Sequence, residues 1–337
     1  MNRLIRSFAT SSCLFLASAA AATPQPTVAR IGLGPADLSA RAPAIAAPLS
    51  APALPPADTG HFIVPFADPG FADTTPNDIN DHGTMVGHFQ LTPDFFATVS
   101  AFVFQAGVFT DVSPAAAAGF SELNGISQAG DAVGDFFDAD GFDRGFLRTA
   151  AGAITVLPDP VPGVAANAPF GINSLGTIVG TYSNDLFATC TGWILRRGAY
   201  TTIDIPGAVC VFANAINDRG DIVGTWVDAA RFGHGFLLSG NDDDEDRGRR
   251  LIAIDVPGAN TTSPLRITDH GEIVGSYVVG TVPGRRTLHG FIRRGDKVLT
   301  LDNPAVRLTT WSGVTDNGVL VGSQILSNGM MAIPLPR

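Results

Sequence analysis

Lysine is almost missing from this 337-residue sequence: Lys297 is the only one, and Lys and Arg number 21 against 31 Asp and Glu, for a formal net charge of −10. So acidic a chain has no basic face with which to neutralise phosphates, which argues against nucleic-acid binding, and an anionic membrane surface finds little to grip. Glutamate is nearly as scarce, since after Gly60 only Glu122, Glu245 and Glu272 occur. With so little Glu and Lys, and with apolar runs that are short, β-branched and broken by Gly or Pro, the chain lacks the material of helices. No later run approaches the roughly 18–20 apolar residues that a membrane span requires. Cysteine is limited to Cys13, Cys190 and Cys210.

What is present begins with an export signal. Arg3 and Arg6 precede an apolar stretch, and an alanine run ends near Ala22, so residues 1–22 read as a signal peptide and the expected destination is the periplasm or the medium. Residues 23–60 are dominated by Pro, Ala and Ser without any period that would bury a face, and are expected to form a disordered linker. Residues 61–337 are expected to be one repeat domain.

One phrase recurs six times in that domain: "INDHGTMVG", "ISQAGDAVG", "INSLGTIVG", "INDRGDIVG", "ITDHGEIVG" and "VTDNGVLVG". Its final glycines, Gly87, Gly134, Gly180, Gly224, Gly275 and Gly322, stand 47, 46, 44, 51 and 47 residues apart. A second strand-like element follows in most units ("AFVFQAG", "RGFLRTAAG", "TGWILRRG", "HGFLLSG", "HGFIRRG"), and then a third that ends in a turn ("YTTIDIPG", "LIAIDVPG"). With the short apolar segment before the turn, each unit offers four short strands, the content of a propeller blade. In Asn80-Asp81-His82-Gly83 and its counterparts, Asn or Thr starts a tight turn and the glycine takes the positive-φ position. The expected fold is therefore all-β: a six-bladed β-propeller of four-stranded antiparallel blades. Residues 61–68 resemble an outer strand without partners, and the last unit stops without an outer strand. Pairing 61–68 beside 330–335 is expected to close the ring and remove exposed sheet edges.

These residues resemble the bacterial extracellular HAF repeat family, whose units carry a "GIN…G.IVG.Y…HGF" pattern, here clearest in "INDRGDIVGTWVDAARFGHGFLL". The resemblance covers residue 60 to the end. Unit 2 departs with Ser127 and Ala132, and unit 6 lacks the "HGF" element. It implies an exported repeat protein and transfers no catalytic residues.

Propeller topology places the loop between second and third strands, and the one leading to the next unit, on a common top face, where length varies most and where binding is expected. Cys190 and Cys210 both fall in top loops of unit 3 and are expected to form a disulfide in an oxidising compartment. The residue before the turn's apolar position is small in four units, but is Asp78 in unit 1 and Arg266 in unit 5, a candidate ion pair or ligand contact near the channel. Asp138, Asp140 and Asp143 around Gly141 form half of a calcium loop without its downstream glutamate. His234 and His289 belong to the repeated "HGF" element and are ligand-binding candidates. For acid–base catalysis the best non-repeated set is His88, Glu122 and Asp135, expected on the top face. No metal-protease pattern occurs, and no cofactor is expected other than calcium at the unit 2 loop. The functional expectation is a monomeric, non-enzymatic binding or scaffold module for a protein or glycan at the top face; the alternative is a secreted polysaccharide hydrolase or lyase using that face.

Overall fold

The computed structural model describes residues 29–32, 73–90, 98–185, 187–240, 249–280, 286–302, 309–324 and 331–334. Among these, the regular elements are all strands. In unit 1, Asp73–Ile79, Met85–Gln90, Val99–Gln105 and Val108–Asp111 pair antiparallel in that order. Unit 2 repeats the pattern with Ser121–Ile126, Ala132–Phe137, Asp143–Arg148 and Ile154–Val156. Unit 3 does so with Ala166–Ile172, Ile178–Ser183, Thr191–Arg196 and Ala199–Asp204. Unit 4 uses Cys210–Ile216, Ile222–Val227, Gly233–Ser239 and Arg250–Ile254, and unit 5 uses Thr261–Ile267, Ile273–Val279, Thr287–Arg294 and Lys297–Thr300. In unit 6, Thr309–Val314, Val319–Gln324 and Met331–Pro334 pair antiparallel. The signal segment, the acidic run 241–248 and residues 61–68, hence the expected closing strand pair, lie outside the described residues.

One departure concerns the expected linker. Ala29–Gly32 is a strand, parallel to Ala199–Asp204 of unit 3. That fourth strand would otherwise be a sheet edge, and such an edge accepts an extended segment whatever its side chains.

The turn between first and second strands explains its own sequence. The Asn80 Oδ1 accepts from the His82 and Thr84 amides, both at 3.1 Å, and Gly83 sits at φ +75°. The amide's other end is also used, because Asn80 Nδ2 donates to the Ser127 carbonyl of unit 2 at 3.2 Å. Asn173 and Asn217 repeat both roles, reaching the Asn217 and Thr268 carbonyls of the following units at 3.1 and 3.0 Å. Ser127, Thr268 and Thr315 cap their turns with a hydroxyl but have no amide to extend to a neighbour.

The repeated glycine of "IVG" answers to packing. Each first strand carries a β-bulge, at Pro76/Asp78 in unit 1 and at the equivalent place in the other five. A Cβ on Gly87, Gly134, Gly180, Gly224, Gly275 or Gly322 would collide with a carbonyl oxygen displaced toward it at that bulge. On their other side, Gly87, Gly134, Gly180, Gly224 and Gly275 face Phe102, Phe146, Trp193, Phe236 and Phe291 of the third strand, all fully buried.

The cores lie between units. Val179, Ile194 and Ile203 of unit 3 pack with Val211, Ile222 and Phe236 of unit 4. Leu123 and Phe146 of unit 2 pack with Val86 and Ala101 of unit 1, and the 2–3, 4–5 and 5–6 junctions are built likewise. A single unit therefore cannot bury its own apolar face, which is why the array must be multiple.

The disulfide joins Cys190 to Cys210. Cys210 does not lie in a loop of unit 3, as the sequence suggested, but opens the first strand of unit 4, so the bond staples two neighbouring sheets side by side. The sequence separation is 20 residues. Closing a loop of that size stabilises by about 3 kcal/mol. Exchanging both cysteines for serine is expected to lower unfolding free energy by about that amount in urea titrations, and added reductant should do the same to the wild type and nothing to the variant.

Candidate functional site

At the bulges, residues from neighbouring units come into close contact. Gly125 lies against Gly171, Gly171 against Ala215, and Gly313 against Asp78, contacts that only small residues allow. Arg266 reaches into this gathering, with Nε 3.1 Å from Asp78 Oδ1. Its Nη2 donates to the Asn77 carbonyl of unit 1 at 3.0 Å and to the Asn124 carbonyl of unit 2, and its Nη1 to the Asn214 carbonyl of unit 4 at 3.3 Å. Asp78 also accepts from the Ile126 and Ile79 amides at 3.0 and 2.9 Å. Burial raises the Asp78 carboxyl above its ordinary range, against the pull of Arg266 and those amides. The two residues proposed from the sequence as an ion pair are thus in contact, and they knit four units together.

Below this pair a narrow pocket of about 50 Å³ opens toward the turns, lined among others by Gln128, Asp218, Asp269 and Asp316. Around it, turn amides donate to neighbouring turns: Asp81 to Gln128 at 2.9 Å, then Ser174 to Asp218, Asp218 to Asp269, Asp269 to Asp316 and Asp316 to Asp81, each at 2.7 Å. These carboxylates are held by backbone donors. Asp316 is raised by burial, with nearby Asp269 and Asp81 adding to it.

His88, Glu122 and Asp135 come together, but not on the top face. All three are buried, at 2, 1 and 0% exposure, between units 1 and 2. His88 Nδ1 is 3.2 Å from Glu122 Oε2, and Glu122 stands opposite Asp135 across the first strand pair. Asp143, read from sequence as half of a calcium loop, belongs to this group, within hydrogen-bonding reach of Asp135 and only 3% exposed. Burial first, and then their mutual repulsion, hold Glu122, Asp135 and Asp143 well above the usual carboxylate range. A general acid must reach substrate, and these groups are sealed from it.

The calcium candidates Asp138 and Asp143 point in different directions. Asp138 Oδ1 is spent on the Asp140 and Phe142 amides at 3.0 and 2.9 Å and its Oδ2 on Arg144 at 3.0 Å, while Asp143 turns inward. Among the described residues no three His, Cys, Asp or Glu side chains converge as a metal ion requires.

His234 and His289 are built alike. His234 Nδ1 lies 3.0 Å from Asp255, whose other oxygen takes the Gly235 amide, and the ring stacks on Trp226 at 4.3 Å. His289 Nδ1 lies 2.7 Å from Asp302, which takes the Gly290 amide, and stacks on Tyr277 at 5.0 Å. The partner carboxylates were missed in the sequence, although Asp255 and Asp302 both closely follow a fourth strand and aligning the units on "HGF" would have exposed them. In unit 2, Arg144 takes the histidine's place, bound to Asp138 and Asp159 and lying over the Phe142 ring. Phe142 and Phe232, at matching places in the loops of units 2 and 4, are 41 and 42% exposed, each presented by an Asp that caps its backbone N–H.

No family model matches the sequence, and no curated protein does. Among solved structures the chain is similar to TolB from Acinetobacter baumannii, with a TM-score of 0.51 and 11% identity over 76% of this chain and 65% of that one. A streptogramin B lyase structure gives 0.43 and 14% over 82% and 98%, and a triple-arginine mutant of AofleA from Arthrobotrys oligospora gives 0.40 and 16% over 71% and 76%. The chain is an all-β protein with a β-propeller-like fold. Similarity at this level of identity concerns the fold alone.

Proposed function

We infer that the protein is an exported, closed, six-bladed propeller that works as a non-enzymatic binding or scaffold module for a protein or glycan. Closure is supported by the contacts between the last and first units: Ser312 Oγ donates to the Pro76 carbonyl at 2.9 Å, and the Asp316 amide to Asp81. Residues 61–68 would then complete the sixth blade. The disulfide supports an oxidising compartment.

One contrast carries the binding reading. The groups best suited to proton transfer are sealed inside, whereas the loops between second and third strands expose Phe142 and Phe232 beside the Arg144–Asp138–Asp159 and His234–Asp228–Asp255 groups. An aromatic face flanked by fixed polar groups, repeated around one face, suits weak multivalent recognition. A glycan panel, read for both retention and chain cleavage, tests this. Retention without cleavage is expected, with roughly tenfold or greater loss when both Phe142 and Phe232 become alanine. Cleavage of any glycan would move the protein to the hydrolase or lyase class.

A further inference from the structure

The buried group at the junction of units 1 and 2 contains three carboxyls and one imidazole, all at most 3% exposed. Its hydrogen-bond accounts do not balance as carboxylates. Oε1 of Glu122, Oδ2 of Asp135, Oδ1 of Asp143 and Oδ1 of the neighbouring Asn77 are buried acceptors without a hydrogen-bond partner, and Glu122 Oε2 faces His88 Nδ1 at 3.2 Å without making a hydrogen bond to it. A carboxylate accepts only, so a set of facing acceptors is costly unless hydrogens lie between them.

The surroundings say where those hydrogens belong. Asp135 Oδ1 takes an N–H from Asn124 Nδ2 at 2.6 Å, which favours its charged form, and Asp143 is within reach to donate an O–H to it. Asn77 has its Nδ2 committed to the Leu123 carbonyl at 2.9 Å and is within reach of Glu122. A neutral Glu122 can donate to the idle Asn77 Oδ1, and a carboxylate cannot. The charged and titratable groups around the set are His88 from the second strand of unit 1 and, on the third strand and the preceding loop of unit 2, Arg144 and Asp138, which act on Asp143. Arg144 is committed to Asp138 and Asp159, so among the described residues only the imidazole of His88 stands directly against these carboxyls.

We propose that this junction is a buried proton-binding site that holds two protons in the folded protein at neutral pH, one on Glu122 and one shared between Asp143 and Asp135, and that losing them loosens units 1 and 2 at alkaline pH. The sign follows from linkage. Carboxyls raised by burial bind more protons folded than unfolded over the range from about pH 4 up to their folded values, so stability falls as pH rises through that range. The pair titrates as a unit, with macroscopic steps belonging to both aspartates.

The test uses the full chain with two near-isosteric substitutions, Glu122→Gln and Asp143→Asn, each of which supplies a permanent N–H where a proton is placed. Infrared difference spectra at neutral pH should show the carbonyl stretch of protonated carboxyl groups in the wild type, weaker in either single variant and absent in the double. Unfolding near pH 7 should release about two protons in the wild type, read from calorimetry in buffers of different ionisation enthalpy, and none attributable to these groups in the double variant. The wild-type thermal midpoint should fall from about pH 6 to about pH 9 while that of the double variant stays nearly flat. A wild type without the protonated-carboxyl band, or a double variant whose midpoint falls as steeply as the wild type's, overturns the proposal. If Asp143→Asn does not fold, the band and proton release of Glu122→Gln decide it, since one of the two protons must vanish.

Discussion

Arg266→Ala is expected to destabilise the protein by about 3–5 kcal/mol, the cost of stranding one member of a buried ion pair. The carboxylate of Asp78 would be left beside two amide donors with no cation, and the Asn77, Asn124 and Asn214 carbonyls of three other units would lose their donor. Four of the equivalent positions hold Gly or Ala, with Gly125, Gly171 and Ala215 packed in succession and Gly313 against Asp78, so no long side chain at these positions is placed to refill the space. The penalty should depend on pH. Asp78 is already raised by burial, and without Arg266 it rises further, so the folded variant takes up a proton that the unfolded chain does not hold. A group whose folded value is raised stabilises at low pH and loses that stabilisation as pH increases; the variant should therefore lie closer to wild type near pH 4 than near pH 7. Asp78→Asn in the Arg266→Ala background, which removes the stranded charge, should recover part of the loss at neutral pH. Urea titrations of the three proteins at both pH values measure all of this. A loss under about 1 kcal/mol, unchanged with pH, would mean that the pair is solvated and not structural.

The Asp78–Arg266 contact was legible because a repeat makes its own background: two charges at a position otherwise small draw attention to themselves. Turn residues were legible for a similar reason, since Asn with Gly three residues on specifies a local geometry that needs no tertiary information. Depth was not legible. His88, Glu122 and Asp135 stood out as departures from the repeat, yet only the register Glu122↔Asp135 and the packing of unit 1 on unit 2 reveal that they face inward. Asp143 was grouped with Asp138 and Asp140 by adjacency in the chain, whereas Asp138 is spent on its own turn and Asp143 begins a strand that points it into the core. The strand at Ala29–Gly32 left no mark in sequence, because parallel pairing to an edge uses backbone groups and requires no side-chain period.

The repeated glycine gives the second large effect. Gly224→Val is expected to cost about 4 kcal/mol or more, at the exceptional end for one substitution, and the protein carrying it should fail to reach the folded state at elevated temperature. Gly224 is extended, so the cost is not conformational. A Cβ there would meet the Phe212 carbonyl on one side and the Phe236 ring on the other, at 2.6 Å from its nearest atom. The carbonyl belongs to a bulge whose strand is fixed by the core of units 3 and 4, and Phe236 is fully buried in that same core, so neither can withdraw without opening the junction. Gly176→Ala is the matched control. That glycine sits in a turn at φ +76° with open space around the position of a Cβ, so its substitution should cost only about 1–2 kcal/mol, through backbone strain alone. Unfolding free energies of the two variants separate the two reasons for glycine in this repeat. Equal costs would show that the phrase is kept for its turn, and a difference of at least 2 kcal/mol or so that it is kept because a bulged carbonyl and an aromatic ring share the space a side chain would need.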